Sequence, residues 1–249
     1  MRYLLRTLLL AFFPALLTAQ LSVNPVQDYI NKTTLLNNIL SNMRVTHGAS
    51  VAGVAPKAAA PAPGPTEFRH SGSRILPKRF PRPAVSESFL ELYEKTAKDD
   101  RFPANDLAYA MTYFVVNSYM TVHDLHRVDY EYDPWAKRGK DSFDRIALMG
   151  QKKNMTPTPL QERAVFLQFR EELSKNPKIV KMTDAEKQEM TELLAITFGE
   201  NFLKYRNALS PLGVERDAEV ARKEAAANLQ KLFGIPAERL KINESGFTY

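Results

Sequence analysis

His123 and His126 are the residues of this 249-residue chain best spaced to do chemistry. Two histidines at i, i+3 share one face of a helix. Two imidazoles and a carboxylate suit zinc or another first-row divalent metal, and Asp124, Asp129, Glu131 and Asp133 stand close by in sequence. The order is not H-E-x-x-H, in which a glutamate stands as base between two ligands. A plainer role is open as well, because a histidine in the last turn of a helix complements the dipole and bonds the final carbonyls. The segment Asp129-Tyr130-Glu131-Tyr132-Asp133-Pro134-Trp135 alternates carboxylates with aromatic rings. Such a loop can face a sugar or peptide, with rings that stack and carboxylates that orient, or it can tuck its rings onto the fold. Pro134 breaks the ligand spacing of an EF-hand calcium loop. Apart from a divalent ion at the histidine pair, no cofactor is implied.

Glu162, Glu171, Glu172, Glu189, Glu192 and Glu200 are acids of the kind that cleave cell-wall glycans, a chemistry that needs a carboxyl of raised pKa in a cleft. Nothing in their spacing marks one out, and they read as solvated helix faces. Gly48-Ala49-Ser50-Val51-Ala52 lacks the second glycine of a nucleophile elbow. No P-loop and no G-x-G-x-x-G occurs. No catalytic residue is assigned.

The elements that must position these side chains are helices. Leu107 to Val122 holds sixteen residues without a charge, apolar on nearly every side. That pattern predicts a helix buried all round. At 1.5 Å per residue it spans roughly 24 Å, short of the ~30 Å of a bilayer core. Asn105 is placed as its cap, with Asp106 at the positive end. Ser86 is placed as the cap of an earlier helix running to about Ala97. Thr158-Pro159-Leu160-Gln161 and Thr183-Asp184-Ala185-Glu186 are capping boxes that open two further helices, the second running to about Leu209. An alanine-rich helix, about Val214 to Phe233, ends at Gly234 and Pro236, and a short turn and tail follow. A short helix is also expected near residues 142–149. The expected fold is all-α, a single bundle of about five or six helices around the buried central one, preceded by a signal peptide and a disordered linker.

Residues 1–19 read as an export signal: Arg2 and Arg6 before the apolar run Leu8–Leu17, with Ala19 at the cleavage point. Residues 20–46 read as a separate helical segment opened by Asn24-Pro25. Residues 47–83 read as an Ala/Pro-rich basic disordered linker, and residues 84–249 as the helical domain. Residues 44–83 carry seven basic side chains against one acidic, whereas residues 84–249 carry 24 against 26. The basicity thus lies in the linker, which argues against nucleic acid as a partner. There is no cysteine, hence no disulfide framework. The expected location is periplasmic or secreted, with membrane contact only through the signal before cleavage.

One resemblance adds to this. Asn105-Asp106-Leu107-Ala108-Tyr109-Ala110-Met111 with Ser118-Tyr119, then Thr183-Asp184-Ala185-Glu186-Lys187-Gln188-Glu189-Met190, then Leu232-Phe233-Gly234 followed by Ile242-Asn243-Glu244-Ser245-Gly246, resembles a family of exported bacterial helical proteins catalogued only as a domain of unknown function. It spans roughly residues 80–249. It implies an exported bacterial protein, no activity and no catalytic residues. The expectation is a non-enzymatic exported protein that binds an unidentified envelope protein. The alternative is a metal-dependent or glycan-cleaving envelope enzyme built on His123, His126 and the 129–135 loop.

Overall fold

The computed structural model describes residues 64–70, 74, 83–126, 154–209, 215–233 and 236–248. The regular elements are α1 (Pro83–Asp99), α2 (Leu107–Val122), α3 (Pro159–Lys175), the single turn α4 (Pro177–Val180), α5 (Asp184–Ala208) and α6 (Glu215–Phe233). A 3₁₀ turn (Ala237–Arg239) and the strands β1 (Lys241–Asn243) and β2 (Gly246–Thr248) close the chain. The fold is mostly helical. No helix among the described residues is long and apolar enough to cross a membrane. The segment 142–149 and the residues before 64 lie outside the described residues.

α2 is the axis. All of its residues except Asn117 and Val122 are buried, and it packs on α3, α5 and α6. Its few polar side chains bond within the helix: the Thr112 and Thr121 hydroxyls donate to the carbonyls of Ala108 and Asn117. A threonine can therefore sit in an apolar core without an orphaned hydroxyl. The cap is Asp106, not Asn105. The Asp106 carboxylate accepts from Ala108 N at 2.8 Å, while the Asn105 amide donates to the Phe68 carbonyl at 2.9 Å. Both residue types cap well, and a long-range contact decided between them.

α1 begins at Pro83, three residues before Ser86, which is buried inside it. Proline opens a helix readily, since its first N–H is not needed. Phe89, Leu90, Tyr93 and Ala97 form the buried face against α5. The helix stops at Arg101, which holds φ +60°, and Phe102 N reaches back to the Ala97 carbonyl at 2.8 Å. This left-handed position normally falls to glycine. Arg101→Gly is expected to stabilise the protein by about 1 kcal/mol, the strain of a side chain there, read from a urea melt.

Both capping boxes form: Thr158 with Gln161 and Thr183 with Glu186. α5 is a second central helix. Its face toward α2 carries Leu193, Leu194 and Phe198. Its N-terminal half buries Lys187, Gln188, Thr191 and Glu192 as well, although Glu192 had the look of a solvated position. Ala218, Ala221 and Ala225 on α6 are buried, and their small size lets α6 lie close on α5; Asn201 of α5 donates to the Ala221 carbonyl at 3.0 Å. The tail is a small hairpin rather than a bare turn. β1 and β2 pair antiparallel with Ile242 opposite Phe247. Gln168 of α3 caps the free edge of β2: its amide accepts from Phe247 N at 2.8 Å and donates to Phe247 O at 3.1 Å.

Candidate functional site

The two histidines fall at the end of α2, as expected, but not on one helical face. The helix ends at Val122, His123 is its cap, and Asp124 turns left-handed at φ +57°. The i, i+3 phase is lost there. His123 packs on the Tyr119 ring, centroids 4.5 Å apart, and bonds the Ala237 backbone beside Glu238. Its Nε2 is buried without a hydrogen bond among the described residues. Burial holds its pKa below the ordinary histidine value, opposed by Glu238 and the Ala237 bond. His126 packs on α5, against the rings of Phe202 and Tyr205 at 4.8 and 5.9 Å. Asp124 accepts a hydrogen bond from the buried Tyr205 hydroxyl and lies 4.0 Å from Arg222 of α6. This corner thus gathers Asp124, His126, Tyr205 and Arg222. The ligand-facing candidates Asp129, Tyr130, Glu131, Tyr132, Asp133 and Trp135 lie outside the described residues. Among the described residues no group of three or more His, Asp or Glu is arranged to hold a metal.

A second polar centre lies at the opposite end of α2, where no sequence motif marks it. Residues 64–70, within the stretch read as linker, form a strap across the N-terminus of α2: Gly64 to Glu67 make a turn, closed by Glu67 N on the Gly64 carbonyl at 2.9 Å, and the pairing with α2 is made at Thr66 to Phe68. Leu107 N donates to Thr66 O at 3.1 Å, and Phe68 N to Asn105 O at 3.0 Å; Glu67 and Asp106 form an antiparallel bridge. Thr66 and Phe68 are buried. The folded unit therefore reaches back at least to Gly64, past the boundary expected at residue 84. The physical reason is main-chain pairing: an extended strand uses the backbone groups left open at a helix start.

Side chains fix the strap from below. Arg170 of α3 pairs with the Glu67 carboxylate and stands 3.7 Å from Asp106 Oδ2. Lys187 of α5 donates to the Glu67 carbonyl at 3.4 Å. Asp106 is wholly buried, and burial raises its carboxyl above the ordinary aspartate range; the Thr66 hydroxyl, the Ala108 N–H and the Arg170 charge pull it back. The Thr66 hydroxyl lies near enough to favour the carboxylate, yet neither Thr66 Oγ1 nor Asp106 Oδ2 makes a hydrogen bond of good geometry. Beside the strap, His70, Arg74, Tyr93, Glu94, Thr191 and Glu192 help line a small cleft of about 240 Å³, its open mouth included. Arg74 spans Glu87 and Glu94 of α1, and Gln188 donates to Glu192 at 2.8 Å.

Residues 147–249 match the Family of unknown function DUF6683. No curated protein and no solved structure matches the chain. The DUF6683 match takes in α3 to β2 and so two of the motifs that carry the resemblance, Thr183–Met190 and Ile242–Gly246. It leaves out the Asn105–Met111 motif, the strap and α1. Both polar centres straddle this boundary. Arg170, Lys187, Tyr205 and Arg222 fall within the DUF6683 match, whereas Glu67, Asp106, Asp124 and His126 precede it.

Proposed function

We propose that this is an exported bacterial protein without catalytic activity that binds a protein partner in the cell envelope, its helical bundle holding the base of an N-terminal tether. The observation that supports this is the seat of the strap. The bundle already grips a segment of the N-terminal stretch through main-chain pairing and an ion pair, and the residues read as a tether precede that segment in the chain. The test is a crosslinked pull-down from the native envelope with the chain from Gln20 onward, tagged at its C-terminus. A saturable protein partner is expected, and its capture weakens when residues 20–63 are removed. A clean negative, repeated with purified cell-wall material, overturns the reading.

A second reading places chemistry at the histidine corner. It is favoured by Asp124, whose left-handed backbone stores strain of the kind found at functional sites. If it holds, the chain retains one equivalent of Zn²⁺ after gel filtration, and His123→Ala with His126→Ala abolishes it. Unchanged metal content in the double variant removes this reading.

A further inference from the structure

Glu67 is the single acidic residue between 44 and 83, and Phe68 is the first aromatic ring in that stretch. The bundle holds both side chains, Glu67 through Arg170 and Phe68 by burial. Beneath them lie two cations, Arg170 and Lys187, and one anion, Asp106. The strap does not complete this site. The Glu67 carboxylate goes to Arg170. Lys187, only 6% exposed, has as its described partner a carbonyl oxygen at 3.4 Å. Buried ammonium groups are ordinarily paired with carboxylates, and a carbonyl at that distance is a poor substitute. Among the described residues, Thr66 Oγ1 and Asp106 Oδ2 also make no hydrogen bond of good geometry.

We infer that the groove bounded by the α2 N-terminus, Arg170 and Lys187 is a binding site for an extended acidic peptide that carries a carboxylate beside an aromatic ring. In the resting chain its own Thr66-Glu67-Phe68 fills the site. A partner strand pairs with Asn105 and Asp106 through its main chain, as the strap does, in the manner of strand addition. It gives one carboxylate to Arg170, sets its ring where Phe68 lies, and brings a second carboxylate to Lys187. The inference rests on the proposed binding role and names its site. The strap competes as a linked segment, at an effective concentration on the order of millimolar. The resting chain therefore rejects weak peptides and admits those that satisfy Lys187.

The test uses the full chain from Gln20 and a fluorescein-labelled peptide of residues 62–71, followed by anisotropy. Glu67→Ala with Phe68→Ala loosens the strap. This variant is expected to bind the peptide at least tenfold more tightly than the wild type. Glu67→Ala in the peptide, which removes the carboxylate that Arg170 holds, lowers binding to this variant at least tenfold. A loosened variant that melts cooperatively yet binds no better than the wild type overturns the proposal. If that variant does not fold, hydrogen exchange on the wild type decides. The Phe68 and Leu107 amides, both bonded across the strap, exchange at least a hundredfold faster than amides of mid-α2 if the strap opens; exchange only through global unfolding overturns it. A partner captured equally well by wild type and Lys187→Met overturns the groove while leaving the binding role in place.

Discussion

Gly199→Val is expected to cost about 3 kcal/mol, the upper part of the range for overpacking a core, and to lower Tm by roughly 6–12 °C for a domain of this size. Gly199 lies in the buried middle of α5. A Cβ there meets Phe89 Cγ at 2.4 Å, Cδ1 at 2.6 Å and Cβ at 2.8 Å. Rotation of the Phe89 ring gives no relief, because the Phe89 Cβ is itself too close. α1 as a whole has to move away from α5. Phe89 is 8% exposed, so Phe89→Ala alone costs about 3 kcal/mol as well. The two do not add. With the ring gone the contacts to Cγ and Cδ1 vanish, but the Cβ that alanine keeps still meets the new one at 2.8 Å, so the double variant is expected to lose more than Phe89→Ala alone and less than the sum of the two. Urea melts of the four proteins give the coupling directly. Strict additivity shows that something other than the Phe89 contact keeps this position small.

Gly199 also marks where local sequence stopped being informative. The two helix starts made by capping boxes were readable because their chemistry is local. Thr158 with Gln161 and Thr183 with Glu186 close their boxes within four residues, whatever lies outside. The burial of α2 was readable for a similar reason, since sixteen uncharged residues cannot face water on any side. The unread features depend on what a distant segment brings. The polar face of α5 is buried because α1 and the strap cover it, and no periodicity within α5 announces that cover. Glu67 and Phe68 sit in an Ala/Pro-rich stretch whose composition argues against a packed role. The signal was there in another form: one acid, with a phenylalanine directly after it, in an otherwise basic run. The histidine pair was located but its geometry was not, since i, i+3 holds only while the helix continues, and Asp124 ends that phase. The hairpin of β1 and β2 depends on Gln168, about eighty residues away, and its strands are too short for alternation to show.

Arg170→Met is expected to cost about 2–3 kcal/mol at neutral pH, somewhat below the range for removing one partner of a fully buried ion pair because Arg170 is partly exposed. The pH dependence separates this from lost packing. Asp106 is wholly buried, and its carboxyl sits above the ordinary aspartate value because burial disfavours the charge. A raised acid binds its proton more tightly in the folded chain than in the unfolded one. Its stability contribution is therefore greatest below the unfolded pKa, about 3.9, and is lost as pH rises through the folded value. Arg170 works against that loss by favouring the carboxylate. Without it the folded pKa climbs further, and the window of loss widens upward. The difference in stability between Arg170→Met and wild type is thus expected to be small below about pH 4, where Asp106 is protonated in either state, and to grow toward neutrality. Glu67 loses its partner too, but it is partly exposed, so Asp106 dominates. Asp106→Asn keeps the N-cap at little cost and removes the buried charge. Placed in the Arg170→Met background, it is expected to recover most of the loss at pH 7 and to flatten the pH profile of the difference. Denaturant melts between pH 4 and pH 8 on these variants measure both effects. A pH-independent loss in Arg170→Met assigns its role to packing against Phe166, over which its guanidinium lies at 5.8 Å, and not to the charge beneath the strap.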